Sequence, residues 1–269
     1  MPNVYDLTGK NAWVCGASQG IGAATALLLA QRGAQVTLIA RREDALKAVQ
    51  SQLKAASKAL GRPLEHPVLV LDLQDLPALQ AGIARGLDHT PTVHILVNNT
   101  GGPPPGAVLE ADPEAFARAF QQHVLAAQYF TQALVPGMKA ERYGRIINVL
   151  STSVKVPISR LGVSNTIRAA MANWAKTLAN EVAIDGITVN NVLPGFTDTP
   201  RLQQIIQKRS AAEKLAPETI AQRMKSTVPV GRFARPEETA EAIAFLASPA
   251  AAYINGVNLP VDGGRLGSL

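Results

Sequence analysis

The chain has 269 residues, of which 47% are hydrophobic, 17% charged and 4% aromatic. This composition is typical of a globular α/β enzyme and excludes disordered and disulfide-stapled chains, while the length fits one domain with a large core. The formal net charge is +6, but the Lys and Arg residues are scattered without a dense basic block, so we expect no nucleic-acid partner.

The cellular setting follows from what the sequence lacks. The single cysteine, Cys15, excludes an internal disulfide and indicates a reducing compartment. Met1 to Asp6 lack the regions of a signal peptide, and no run of about 18 apolar residues is available to span a bilayer. The four histidines have no metal-ligand spacing. We expect a cytoplasmic protein with no membrane contact and no metal.

Seven short apolar runs alternate with longer Ala-rich stretches of helical period. Runs that are apolar on both faces, with enough chain between them for a helix, indicate parallel strands covered on both sides. The pattern predicts a Rossmann-like, doubly wound α/β fold with a parallel sheet of about seven strands, in a single domain over residues 1–269. The runs are 12–15, 36–39, 68–71, 95–97, 146–150, 188–192 and 257–259.

A glycine-rich turn follows the first apolar run and precedes an apolar helix. Glycine lets the backbone turn tightly and approach a pyrophosphate, whose charge then faces the free N–H groups at the start of the helix. This turn predicts a dinucleotide site, with binding residues Gly16, Ser18, Gln19, Gly20, Ile21 and Gly22.

The choice of dinucleotide is set at the end of the second run, which reads Ala40-Arg41-Arg42. An acidic residue there would accept hydrogen bonds from the 2′-hydroxyl of NAD, whereas arginine pairs with the 2′-phosphate of NADP. Arg41 and Arg42 therefore favour NADP over NAD. The alternative is that both are solvated surface charges.

Two segments without sheet character lie where a ligand crevice is expected. The Pro/Gly-rich stretch 101–106 follows the fourth run, which predicts a binding-site loop. Residues 201–227 are polar and helical in composition, and they lie between two predicted strands. We expect a helical flap at about 200–228 that covers the crevice, with a plain solvated helix as the alternative.

The spacing of Gly16, Gly20 and Gly22 resembles that of the short-chain dehydrogenase/reductase family. Asn98-Asn99-Thr100-Gly101 resembles the Asn-Asn-Ala-Gly turn of that family, and Pro194–Thr199 resembles its nicotinamide-contacting segment. The resemblance runs from about residue 8 to 264. It implies a homotetramer built on helices at about 113–140 and 164–183, and further nucleotide contacts at Asp72, Leu73, Asn98, Asn99, Gly101, Arg168, Pro194, Gly195, Thr197 and Thr199.

The catalytic positions of the family are altered in this chain. Relatives carry Asn, Ser, Tyr and Lys, with the Tyr thirteen residues after the Ser and the Lys four residues later. The Ser position is Ser151, so the Tyr position holds Ser164, the Lys position holds Arg168, and the Asn position falls on His123. No tyrosine elsewhere is followed by lysine at that spacing. Ser164 is a far weaker acid than tyrosine, and Arg168 replaces only the charge and the nucleotide-binding part of lysine.

A proton source therefore has to be found elsewhere. His123 has a reference pKa of about 6.5, suited to proton transfer near neutrality. Alternatively, His123 only replaces the Asn at a helix kink, or water relays the proton while Ser151, Ser164 and Arg168 stabilise the oxyanion. We predict an NADP-dependent oxidoreductase acting on a small-molecule carbonyl/alcohol pair through an altered proton relay. The competing hypothesis is a catalytically silent nucleotide-binding homologue that acts as a sensor, scaffold or partner subunit.

Overall fold

The computed structural model describes residues 3–268; Met1, Pro2 and Leu269, the ends of the predicted domain, lie outside the described residues. Seven parallel strands form one sheet in the order β3-β2-β1-β4-β5-β6-β7. This confirms the predicted fold class. The strands are β1 Asn11–Cys15, β2 Gln35–Ala40, β3 Val68–Val70, β4 Ile95–Asn98, β5 Gly144–Val149, β6 Ile187–Pro194 and β7 Asn258–Val261.

Helices cover both faces of the sheet. Alternate residues of β1 point to opposite faces: Ala12 and Val14 join a core with α1, α2 and α9, whereas Trp13 and Cys15 join a core with α3, α5 and α6. The strands are apolar on both faces for this reason. The helices are α1 Gly20–Gln31, α2 Glu43–Ala59, α3 Leu76–His89, α4 Pro113–Phe120, α5 Ala126–Ala140, α6 Gly162–Val182, α7 Pro200–Glu213, α8 Pro217–Ser226 and α9 Pro236–Ala247.

The crevice lies where the strand order changes direction. β1 pairs with β2 on one side and with β4 on the other. After β1 the chain crosses to β2, whereas after β4 it crosses to β5, so the connections leave the carboxyl ends of the neighbouring strands β1 and β4 in opposite directions. From β4 to β7 the strands also carry a row of asparagines that we call the amide ladder: Asn98, Asn148, Asn191 and Asn258. Each Nδ2 donates to the Oδ1 of the next residue at 2.8 Å. The ladder pairs buried polar groups and fixes the register of four strands.

The long helix predicted at 113–140 is interrupted. A π-helical turn, Gln121–Leu125, separates α4 from α5. On the helices where the resemblance implies a tetramer interface, Val124 and Met171 are buried in the core of the protein itself, while Phe120 is 39% exposed. The predicted flap is helical but consists of two helices, because Lys214 adopts a left-handed conformation with φ 52° after α7. No helix within residues 3–268 is long and apolar enough to cross a bilayer.

Candidate active site and nucleotide cradle

The glycine turn between β1 and α1 has no room for side chains. Gly16 and Gly20 have φ values of +63° and +57°, and a Cβ on Gly22 would lie 2.2 Å from the Gly16 carbonyl oxygen. Asn99 Nδ2 donates to the carbonyls of Cys15 (3.3 Å) and Gly16 (3.5 Å), so the residues after β4 hold this turn. No side chain caps the start of α1, which leaves its first N–H groups free for a phosphate.

The predicted 2′-phosphate residues lie beside this turn. Arg42 Nη2 donates to Gln19 Oε1 at 2.6 Å, and Arg41 Nη1 lies 3.9 Å from Asp72 Oδ2. The Arg41 side chain is 73% exposed, so this ion pair is weak and leaves the guanidinium available to a ligand. Gln19, Arg41, Arg42 and Asp72 thus form one polar rim.

The Pro194–Thr199 segment lies on the other side of the glycine turn, and we call this segment, the turn and the polar rim together the nucleotide cradle. Gly195 packs so tightly against the residue that follows β7 that an added Cβ would lie 2.7 Å from Asp262 Cα. Thr197 is buried, and Thr199 caps α7 by accepting a hydrogen bond from the Leu202 N–H at 3.4 Å. A Cβ on Gly20 would meet Thr199 Cγ2 at 3.1 Å, so the start of α7 touches the glycine turn.

Arg168 is a buried cation at the end of β5. Its Nη1 donates to the carbonyls of Val149 (3.1 Å) and Leu150 (2.9 Å), and the residue is 9% exposed. Burial lowers the pKa of Arg168 to about 10, and the charge of Arg201 adds to this effect. The guanidinium still carries a full charge near neutrality. In the described residues it forms no ion pair with a carboxylate.

The two predicted serines both precede this cation in the sequence. Ser164 is one helical turn before Arg168 on α6, so both side chains lie on the same face. A Cβ built on Gly102 would lie 3.4 Å from Arg168 Nη2 and 3.9 Å from Ser164 Oγ, which places both beneath the Pro/Gly-rich loop. Ser151 directly follows Leu150, and its Oγ accepts a hydrogen bond from the Ser153 N–H at 3.1 Å.

His123 lies on the π-helical turn and contacts a residue that the sequence reasoning missed. Its Nδ1 is 2.7 Å from Thr100 Oγ1, and the residue is 6% exposed. Burial, followed by the charge of Arg168, lowers the pKa of His123 to about 3, although a hydrogen bond with the Gly101 backbone opposes this. The reference pKa that singled out His123 therefore does not apply in this site. The imidazole is neutral at physiological pH.

Thr100 and Arg201 were both missing from the predicted site. Thr100 stands where the resembling motif has alanine, and this departure pairs with the departure at His123 through their hydrogen bond. Arg201 Nη2 donates to the Pro103 carbonyl at 3.4 Å, so α7 contacts the Pro/Gly-rich loop. Cys15 takes no part, because burial raises the pKa of its thiol to about 12. No group of metal ligands occurs among residues 3–268.

Known proteins resemble this chain along almost its whole length. A family model described as Enoyl-(Acyl carrier protein) reductase matches residues 16–265. The 3-oxoacyl-acyl-carrier-protein reductase FabG of Vibrio cholerae is 35% identical over 261 residues, which are 96% of this chain and 98% of the relative. The NADPH-dependent reductase BacG of Bacillus subtilis is 30% identical over 266 residues, covering 98% of this chain and all of the relative.

Solved structures agree with these matches. The L-sorbose reductase of Gluconobacter frateurii, complexed with NADPH and L-sorbose, superposes with a TM-score of 0.91 at 30% identity, over 99% of this chain and all of that one. YwfH, an NADPH-dependent reductase involved in bacilysin biosynthesis, has a TM-score of 0.90 at 30% identity, over 97% of this chain and 99% of that one. Together with the glycine cradle and the Asn98-Asn99 turn, these matches establish that the chain belongs to the short-chain dehydrogenase/reductase family.

Proposed function

We propose that this protein reduces a small molecule containing a carbonyl group, at the expense of NADPH, and holds the developing negative charge with Arg168, Ser164 and Ser151. The observation that carries the proposal is the buried, charged guanidinium of Arg168, which has no carboxylate partner in the described chain. A fixed cation in a site shielded from water stabilises an oxyanion far better than a solvated one does.

The cofactor is NADP(H), as Arg41 and Arg42 predicted and as the reductases among the relatives use. The cradle fits it: the glycine turn admits backbone but no side chain, and the polar rim carries two exposed arginines. When bound, NADPH supplies the hydride. The protein's part is to place the acceptor carbon, exclude water and provide for the proton.

Proton delivery differs from that of a tyrosine-bearing relative. Because His123 is neutral, it holds no extra proton that it could donate as an acid. A neutral imidazole can nevertheless accept a proton on one ring nitrogen while it releases one from the other. The Thr100 hydroxyl at 2.7 Å extends this path by one group. We infer a relay from water through His123 and Thr100, with Ser164 orienting the substrate oxygen.

A second candidate acceptor is a C=C bond conjugated to a carbonyl. Hydride addition to the β-carbon moves the electron pair to the carbonyl oxygen as an enolate, and water later protonates the α-carbon. An enolate is much less basic than an alkoxide, so this reaction needs a cation such as Arg168 but no strong acid at residue 164. The enoyl reductase description of the matching family favours this candidate.

The test uses NADPH-loaded protein and paired substrates, each a saturated ketone or aldehyde and its α,β-unsaturated analogue. NADPH absorbance gives the rate, and NMR of the product distinguishes an alcohol from a saturated carbonyl compound. Arg168→Gln should lower kcat/KM about 100-fold, which is the usual effect of removing one oxyanion donor. Arg85→Gln, which removes a similar charge from an exposed position on α3, is the matched control.

Two outcomes decide against the proposal. If NADPH binds in calorimetry but no pair is reduced, the protein is the catalytically silent homologue. If Arg168→Gln and Arg85→Gln have equal rates, charge at residue 168 does not stabilise the transition state.

We further propose a homotetramer, on the strength of family membership. Phe120, 39% exposed on α4, is a candidate contact. Light scattering should give about four times the 28.4 kDa chain mass, and Phe120→Ser should lower the mass in dilute solution. A wild-type mass of one chain contradicts this.

A further inference from the structure

A pocket of about 430 Å³ lies between the segment that follows β5, helix α7 and residues 265–267. Its lining includes Thr152, the residue that follows Ser151 in the sequence. Two arginines line it from different elements: Arg209 from α7 and Arg265 from the segment after β7. Pro157 and Ile158 supply apolar walls.

Neither arginine is neutralised by the protein. In the described part of the chain, neither Arg209 nor Arg265 belongs to an ion pair. The Arg265 guanidinium lies over the Phe196 ring at 4.3 Å from its centroid, and its Nε is buried without a hydrogen-bond partner. Burial lowers the pKa of Arg265, and Arg209 acts in the same direction while Asp262 opposes it. Two like charges thus face one pocket.

Asp262, whose charge raises the pKa of Arg265, is hydrogen-bonded to the backbone instead. Asp262 Oδ1 accepts a hydrogen bond from the Gly264 N–H at 3.0 Å, and Oδ2 accepts one from the Leu266 N–H at 2.7 Å. These bonds shape the turn that presents Arg265. They also tie both carboxylate oxygens to the backbone, so the guanidinium donors remain available to a ligand.

We infer that this pocket binds an anionic group of the substrate, a carboxylate or a phosphate, while the reducible group lies beside Ser151. Paired guanidinium groups with unused donors match the planar or tetrahedral oxygens of such anions. The cation–π contact with Phe196 holds Arg265 in place and reduces the entropy lost on binding. The link to a substrate rests on the proposed function, but anion binding can be measured without turnover.

The test compares three aldehydes on NADP-loaded protein by calorimetry: 4-formylbenzoate, its neutral methyl ester, and 4-formylphenyl phosphate. At least one anion should bind about tenfold or more tightly than the ester, since one charge-assisted hydrogen bond contributes roughly that much. The carboxylate and phosphate arms show which anion the pocket prefers. Arg209→Gln and Arg265→Gln should each reduce the preference severalfold.

Lys208→Gln is the matched control, because it removes the same charge from the neighbouring position on α7 without altering the pocket lining. It should keep the full anion preference. Arg265→Lys, which retains charge, should keep part of it, and this separates loss of charge from disturbed packing on Phe196.

Equal binding of ester and anions, or no measurable anion binding, would overturn the inference. So would an anion preference that survives the combined Arg209→Gln and Arg265→Gln substitutions. NADPH oxidation is measured separately, with the same three aldehydes added to NADPH-loaded protein. Anion preference without oxidation contradicts the proposed reductase but not the pocket, whereas oxidation of ester and anions with equal KM contradicts the pocket but not the reductase.

Discussion

The nucleotide cradle and the reaction site lie at the same edge of the sheet, but the sequence specifies them in different ways. The cradle is made of backbone: Gly16 and Gly22 lie so close to Asn99 and to each other that any side chain would collide with main-chain atoms. The reaction site is made of side chains held at the ends of β5 and α6. Backbone geometry permits few alternatives, whereas a side-chain site can change its chemistry without changing the fold.

The largest expected effect comes from filling the cradle. In Gly22→Ala the new Cβ would lie 2.2 Å from the Gly16 carbonyl oxygen and 2.8 Å from Asn99 Nδ2. The turn must open, so we expect NADPH affinity in calorimetry to fall by more than about 100-fold. Gly106→Ala is the control, since nothing lies within 4 Å of its Cβ position. Equal affinities for the two variants would show that the cradle is adaptable.

The amide ladder connects the nucleotide cradle with the reaction site. Replacing one of its asparagines measures how much the ladder stabilises the fold. Asn148 is fully buried, donates to Asn191 and accepts from Asn98. Asn148→Ala leaves a buried donor and a buried acceptor without partners, so we expect the free energy of unfolding in urea to fall by about 2 to 4 kcal/mol. Asn255→Ala, outside the ladder but also bonded to β6, gives the cost of losing an ordinary amide. An equal loss in both would remove any special role of the ladder.

Changing the polar rim should have a smaller effect, on the preference for NADPH over NADH. The double substitution Arg41→Ala and Arg42→Ala should weaken NADPH binding about 10- to 100-fold and leave NADH binding nearly unchanged, because only NADPH carries a 2′-phosphate. Fluorescence titration with both cofactors measures the ratio. A parallel loss for both cofactors would mean that the arginines act through general charge.

The smallest expected effect concerns His123 and the dependence of stability on pH. The pKa of this side chain is about 6.5 in the unfolded chain and about 3 in the fold. Between these values the unfolded state binds a proton that the folded state does not, so stability falls as the pH decreases through this range. His123→Asn should reduce the loss between pH 7 and pH 5 by about 1 to 2 kcal/mol in urea titrations. His66 and His94, whose pKa values burial also lowers, are present in both proteins.

The His123→Asn variant also tests the proposed proton relay. If a neutral imidazole is the working form, the rate of the wild-type enzyme should show no His123-dependent step between pH 5 and 8. A step near pH 6.5 that disappears in His123→Asn would restore the interpretation of His123 as a conventional acid.

The sequence predicted the parts of the molecule that follow from local pattern. In runs such as Ala12–Cys15, successive apolar side chains point to opposite faces and enter two separate cores, so the sheet must be covered on both faces. The family of the chain is likewise confirmed, and Gly16 and Gly20 adopt the positive φ values that favour glycine. These features depend on residue type and spacing along a short stretch of chain.

The environment of the reaction site could not be predicted in the same way. The pKa of His123 depends on burial under residues far away in sequence and on the charge of Arg168, neither of which local pattern encodes. The π-helical turn and the helix break at Lys214 likewise occur where tertiary packing outweighs the local helix propensity of the sequence. The departure of Thr100 from the family motif was visible, but its partner was not.

The amide ladder has one further property: it has a direction. In each of its three hydrogen bonds the nitrogen belongs to the asparagine nearer β4 and the oxygen to the one nearer β7, so turning over a single amide would bring two nitrogens or two oxygens into contact. The four amides can reverse only together. Asn258, at the outer strand of the sheet, therefore constrains which atom of Asn98 faces its neighbour at the crevice, three strands away, so a substitution near the carboxyl terminus can alter the polarity of the nucleotide site without touching it.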